Sequence, residues 1–293
     1  MRTAISFTGG KDCVTTLHLL KHPSTYAWRL PNSLTSSTYH GADGFSTRSL
    51  THEGQFDPVL LVTFVPASSS TPTRFLAHPL DIIEKQAAAL GLPWITLPIT
   101  ADGQGTEGFM KGYRTALSRL TKPISEGGRE IEAIATGDID DVCNNFMAKT
   151  LAPLSPDMHL LRPLWDIKRP RLYELMREYD IYAIISCADP RMMPGEEKED
   201  KEEVARQLVG GSAERNRVTS VVKSDDDKTI EKVDAAGERG EWHSMVLRCK
   251  MMNDRGVGIK VREEKRQKEG EYIVFASWDS AELFTEECKI HDV

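Results

Sequence analysis

The chain has 293 residues, 40% of them hydrophobic and 28% charged, with a formal net charge of −7. That length and apolar content can bury one large core or two small ones, while the acidic balance argues against tight, non-specific nucleic-acid binding. Five scattered cysteines (13, 143, 187, 249 and 288) show no CxxC or Cys/His pair at metal spacing, so neither structural zinc nor a disulfide framework is expected. Ala4-Ile5-Ser6-Phe7 reads as a short buried strand, and Val14, Leu17 and Leu20 mark one face of a helix. Between them lies the turn TGGKDC, Thr8 to Cys13. Residues 23–57 show no helical or strand period and are too many for an α/β connection, so they read as a surface insertion. The continuous apolar run 59–65 is typical of a parallel strand buried on both faces.

A helix follows over 80–90, stopped by Gly91 and Pro93, then a strand at 94–97. Residues 107–120 read as a helix, 131–136 as a strand ending in Gly137-Asp138, and 141–151 as a helix. LRPLWD leads into a helix at 170–179 and a strand at 182–187. This alternation predicts an α/β fold with a doubly wound parallel sheet over 1–194. Ligands in such sheets sit beyond the C-terminal strand ends, where TGGKDC, the segment after Val65, GDIDD and CAD (187–189) all fall. The charged stretches 195–203 and 224–232 read as solvated linker. Alternation in 240–252, 257–262 and 271–278 predicts a smaller β-rich or α+β part over 195–293. No secretory h-region, membrane-spanning apolar run or Arg-rich presequence is seen, so a cytoplasmic protein without a membrane partner is expected.

Two glycines tolerate positive φ and let a backbone approach an anion closely. The helix N-terminus adds N–H groups and a positive dipole end, and Lys11 adds a mobile cation. Asp12 can cap the helix or face a metal. Taken alone, a Gly-Gly turn is as readily a tight connection. Neither GxxxxGK[ST] nor GxGxxG occurs, which argues against a P-loop NTPase and a dinucleotide fold. Three other stretches carry polar chemistry: GDIDD (137–141), PLW (163–165) and GERGEWHS (237–244), the last with Glu238, Glu241 and His243 around two glycines. Singly, each is matched by a bland alternative: a strand-end turn, a core tryptophan, a solvated charge cluster.

In combination and in this order the stretches resemble the diphthine–ammonia ligase family of N-type ATP pyrophosphatases, within the PP-loop superfamily. That family carries SGGKDS, a helix of the type LLEKQAEALGLP, FxxGY, GDI, PLW, a strand ending in cysteine and aspartate, and GENGE[YF]HT. Here the corresponding pieces read TGGKDC, IIEKQAAALGLP, FMKGY (109–113), GDI, PLW, Cys187-Ala188-Asp189 and GERGEWHS. The resemblance covers most of 1–194 and resumes at 237–249. Cys13 and Arg239 stand where the family has Ser and Asn, and Trp242 is bulkier than the usual ring.

The resemblance implies a sheet of the adenine nucleotide alpha hydrolase type. It further implies that ATP adenylates the carboxylate of diphthine on elongation factor 2, releasing pyrophosphate, and that ammonium then displaces AMP. On that reading Thr8, Gly9, Gly10, Lys11, Asp12, Cys13, His78, Gly137 and Asp138 serve ATP and its phosphates, with Asp12 and Asp138 as Mg²⁺ ligands. The catalytic set is Lys11, Glu238, Glu241 and His243; Pro163, Leu164, Trp165 and Asp189 lie on the substrate side. The GERGEWHS acids are expected at the acceptor end, since ionised carboxylates beside pyrophosphate would repel it. The alternatives are a non-catalytic nucleotide-binding paralogue, or a PP-loop ligase acting on another carboxylate.

Overall fold

A computed structural model of the chain describes residues 1–22, 56–67, 77–100, 105–140, 144–154, 158–222, 233–234 and 236–285. The expected insertion at 23–57, but for its last two residues, and the linker at 224–232 lie outside the described residues. The chain divides into two compact units. The first comprises Met1–Phe7, Thr15–Thr73 and Leu92–Ile167, in their described parts. The second comprises Thr8–Val14, Arg74–Gly91 and Lys168–Val293, likewise.

The first unit is built on five parallel strands: β1 (Arg2–Ser6), β2 (Asp57–Pro66), β3 (Trp94–Ile99), β4 (Ala133–Ala135) and β5 (His159–Leu161). Their order is β3-β2-β1-β4-β5. β1 lies at the centre, with Ile5 beside Leu61 on one side and Ala135 on the other. Its run Thr3, Ala4 and Ile5 has no exposed surface, as expected for a strand covered on both faces. Helix α1 (Lys11–Lys21) begins in the second unit and continues into the first. Between β2 and β3 the chain forms α2 (Leu80–Leu90), which belongs to the second unit and ends on Gly91 in the left-handed conformation. Helix α3 (Gly105–Thr121) buries Ala116, Leu117 and Leu120 against Leu60, Val62 and Ile134 of the sheet. A short α4 (Phe146–Leu151) precedes β5.

The second unit departs from the expected architecture at one strand. After α5 (Arg169–Glu178), the strand β6 (Tyr182–Ala188) does not extend the parallel sheet. It pairs antiparallel with β7 (Trp242–Arg248) and with β10 (Tyr272–Phe275), and β9 (Arg266–Glu269) completes a sheet of order β7-β6-β10-β9. A strand–helix–strand rhythm does not say whether the next strand returns to the same sheet, and the buried run of β6 fits either partner set. Strands β8 (Val257–Val261) and β11 (Ala281–Thr285) form a separate antiparallel pair, with α8 (Lys250–Asn253) between β7 and β8.

The charged stretch read as linker at 195–203 is instead the start of a helix, α6 (Lys198–Leu208), followed by α7 (Arg215–Val222). Glu197 N donates to Asp200 Oδ2 at 3.4 Å, one half of a capping box, and Glu199 and Asp200 favour the positive end of the helix dipole. The apolar anchors, Ala205 and Leu208, fall just beyond the charged run and are fully buried. Among the described residues no helix is long and apolar enough to cross a membrane.

Candidate active site

The strand order reverses between β1 and β4, the place where open α/β sheets bind ligands at their C-terminal edge. The chain leaving β1 is the glycine turn, and the chain leaving β4 is Thr136-Gly137-Asp138. In the first unit Asp138 Oδ2 accepts from the Thr136 hydroxyl at 2.8 Å, and Asp166 N donates to Ile139 O at 2.8 Å. The GDI segment and the turn carrying PLW are therefore adjacent. Pro163 and Leu164 are buried, while Trp165 is partly exposed and stacks under the Arg162 guanidinium at 3.7 Å.

The second unit gathers TGGKDC, the EKQ helix, His78 and GERGEWHS. Gly9 has φ +75°, and its carbonyl accepts from Val246 N of β7 at 2.9 Å. Gln86, fully buried on α2, donates through Nε2 to Gly9 O at 2.9 Å and to Val246 O at 2.6 Å. Any side chain at Gly9 would meet Gln86: a Cβ there lies 2.1 Å from Oε1. Gly10 is pressed against β7 too, its would-be Cβ 3.2 Å from Ser244 O. Lys11 N donates to Ser244 Oγ at 3.1 Å. The glycine turn is thus held by one helix and one strand, and Gln86 and Ser244 are two holding residues that the motif reading left without a role. For Gln86 the signal was available: a glutamine in the apolar stripe of a helix needs buried partners.

The Lys11 side chain is 2% exposed. Its Nζ donates to Asp12 Oδ2 at 2.7 Å and Oδ1 at 2.9 Å, and to Glu238 Oε1 at 3.0 Å, and it lies 5.2 Å from the Trp242 ring centre. Burial alone would depress its pKa, but Asp12 and Glu238 outweigh that and hold the ammonium above its usual range. Burial, with Asp12 close by, pushes the Glu238 carboxyl up to about 7 despite Lys11. The motif expected at the acceptor end is therefore in direct contact with the glycine loop. There the Lys11 ammonium offsets the charge of the Glu238 carboxylate.

The other motif residues divide by environment. Glu241 is fully buried, and its two oxygens accept from Asp234 N at 2.9 Å and Arg239 N at 3.0 Å. It shapes the 234–241 turn from inside. Asp234 in turn accepts from Arg169 Nη2 at 2.7 Å. His243 is exposed and packs edge-on against His78, with ring centres 5.2 Å apart. Desolvation and then the neighbouring His243 lower His78 to about 3, and desolvation of its ring followed by the Lys11 charge lowers His243 as well. Both shifts favour the neutral imidazole. Thr8 is exposed, its Oγ1 4.0 Å from Cys13 Sγ. Burial pushes the Cys13 thiol up to about 11, so it stays protonated and donates to Gly10 O at 3.1 Å. Asp189, the residue after β6, accepts from Arg191.

Among the described residues no three His, Cys, Asp or Glu side chains converge as a protein-only metal cage requires. Asp12 and Glu238 bring two hard oxygen donors to Lys11, the share of protein ligands that Mg²⁺ takes when nucleotide phosphates supply the rest. That donor set fits Mg²⁺. Asp138, the other expected ligand, belongs to the first unit, where it accepts from Thr136. No protein-family model matches the chain, and no curated protein matches it.

Proposed function

We propose that the chain is an ATP-dependent, AMP-forming ligase that activates a carboxylate as its acyl-adenylate and transfers the acyl group to ammonia. The observation that carries this reading is Lys11. A lysine almost without exposed surface opens a helix behind a left-handed glycine, directly after the central strand of a parallel sheet. Backbone N–H groups of such a turn suit phosphate oxygens, and Lys11 offsets charge that builds on departing pyrophosphate. Mg²⁺ would be held by Asp12 and Glu238 and would neutralise the triphosphate.

The substrate carboxylate attacks the α-phosphorus and pyrophosphate leaves. Ammonia then attacks the acyl carbon, loses a proton and expels AMP. Glu241 is committed to two backbone N–H groups and Glu238 to Lys11, so His243, the exposed member of the three, is the acceptor for that proton. The motif resemblance supports diphthine on elongation factor 2 as the carboxylate. It likewise supports ammonium as nitrogen donor and the adenine nucleotide alpha hydrolase type for the parallel sheet.

ATP–pyrophosphate exchange, with and without elongation factor 2 bearing diphthine, tests this. Exchange that requires the factor, and that falls by at least about a hundredfold in Lys11→Ala, is the expected result. Exchange without the factor would point to another carboxylate. ATP binding with no exchange under any condition would establish the second reading, a non-catalytic nucleotide-binding protein, which the commitment of Glu241 to the backbone favours.

A further inference from the structure

Within the second unit, α6, the turn after β6 and the β9–β10 hairpin enclose a recess of about 410 Å³. Its charged lining is Arg191, Lys198, Lys201 and Lys268 against Glu202 and Glu271. Four cations stand against these two carboxylates and the Asp189 carboxylate behind Arg191, which leaves an excess of one positive charge on a chain whose net charge is −7. That volume lies in the range of small-ligand sites.

The cations are not equivalent. Lys268 is paired with Glu202. Arg191 is held in place: Nε donates to Asp189 Oδ1 at 2.9 Å and Nη2 to Oδ2 at 2.7 Å, while Asp189 is nearly buried and donates its own N–H to Glu241 O at 2.9 Å. The Tyr272 ring lies 5.6 Å from the Arg191 guanidinium carbon. Its remaining nitrogen, Nη1, has no hydrogen-bond partner among the described residues. Lys198 and Lys201, one helical turn apart on α6, form no ion pair among the described residues. A fixed guanidinium beside two ammonium groups, of which Lys198 also lies within Coulomb reach of Glu202, is a donor set that recognises phosphate oxygens. Ordering the guanidinium in advance also lowers the entropy lost on binding.

We propose that this recess binds a small oligophosphate anion, with Arg191, Lys198 and Lys201 as its recognition groups. The site is separate from the glycine loop and does not depend on the ligase reading. Inorganic tripolyphosphate is the probe, titrated calorimetrically into the full chain and into the Lys198→Gln/Lys201→Gln double variant. Lys198 is exposed and Lys201 half-buried, and a thermal melt confirms that the variant is folded.

The double variant is expected to weaken one binding component by about tenfold or more, a component that Lys11→Ala retains and that weakens between about 50 and 200 mM salt. An isotherm unchanged by the double substitution would overturn the proposal. So would a single-stranded oligonucleotide that displaces tripolyphosphate at equal phosphate concentration, since the recess would then serve a nucleic-acid backbone.

Discussion

Replacing Gln86 by leucine tests how the glycine loop is held, because it removes the bridging amide and nearly conserves volume. In the structure Nε2 donates to Gly9 O and Val246 O, while Oε1 is buried with no hydrogen-bond partner among the described residues. Both neighbours are carbonyls, which fixes the amide orientation. Losing two neutral hydrogen bonds costs about 1–3 kcal/mol, and removing an unpaired buried oxygen returns about 1–3 kcal/mol. The two effects nearly cancel, so the unfolding free energy of Gln86→Leu is expected within about 2 kcal/mol of wild type. Gln86→Ala loses the same bonds and also opens a cavity, which adds roughly 2–5 kcal/mol. Urea unfolding followed by circular dichroism measures both variants. Gly9 O keeps its bond from Val246 N at 2.9 Å, so the loop is loosened rather than released. Pyrophosphate exchange in Gln86→Leu is therefore expected to fall roughly tenfold to a hundredfold. A stability loss in Gln86→Leu as large as that in Gln86→Ala would refute the cancellation, and exchange at the wild-type level would refute the positioning role.

Three further outcomes follow from the same geometry. Gly9→Ala should destabilise through its φ of +75° and its contact with Gln86, and Gln86→Ala should relieve only the contact; a double-mutant cycle in urea without such coupling would exclude the clash. Glu241→Gln sets an amide NH₂ against a backbone N–H, so a loss of about 1–3 kcal/mol in stability is expected, and a wild-type unfolding curve would show that Asp234 N and Arg239 N do not depend on this carboxylate. For His78 the unfolded chain takes up a proton near pH 6.5 that the folded chain refuses until about pH 3, so stability is complete above pH 6.5 and declines as the pH falls through that window. Urea midpoints at several pH values should fall less steeply in His78→Asn than in wild type, and parallel slopes would rule out a neutral buried imidazole.

The parallel sheet was legible because its signals are local. The run at 59–65 is apolar on both faces, and α2 ends at Gly91 and Pro93. The sheet to which β6 belongs was not legible, because its pairing is decided by β7 and β10, more than fifty residues further along the chain. Helix α6 was missed for a different reason. Its apolar anchors begin at Ala205, after the charged run that drew the linker reading, and its N-terminal acids are stabilised by position rather than by burial. In the candidate site, glycines and a lysine declare themselves by residue type. Gln86 and Ser244 act through contacts with a loop more than seventy residues away, so their roles emerge only from the fold.

The two glutamates of GERGEWHS show why spacing alone could not divide their labour. Gly237 and Gly240 both have positive φ, at +74° and +88°, and each closes a tight turn, Gly237 N donating to Asp234 O at 2.9 Å and Gly240 N to Gly237 O at 3.3 Å. A Cβ at Gly237 would lie 2.8 Å from the Trp242 ring, which means that the turn is wrapped around the indole. Trp242 is 2% exposed, and the turn that covers it brings Glu241 inside, where two backbone N–H groups donate to its carboxylate. Glu238 lies across the turn and meets Lys11. The indole is therefore the centre around which the turn is built. Together with the two glycines it sorts one carboxylate into the framework and the other onto the cation of the glycine loop.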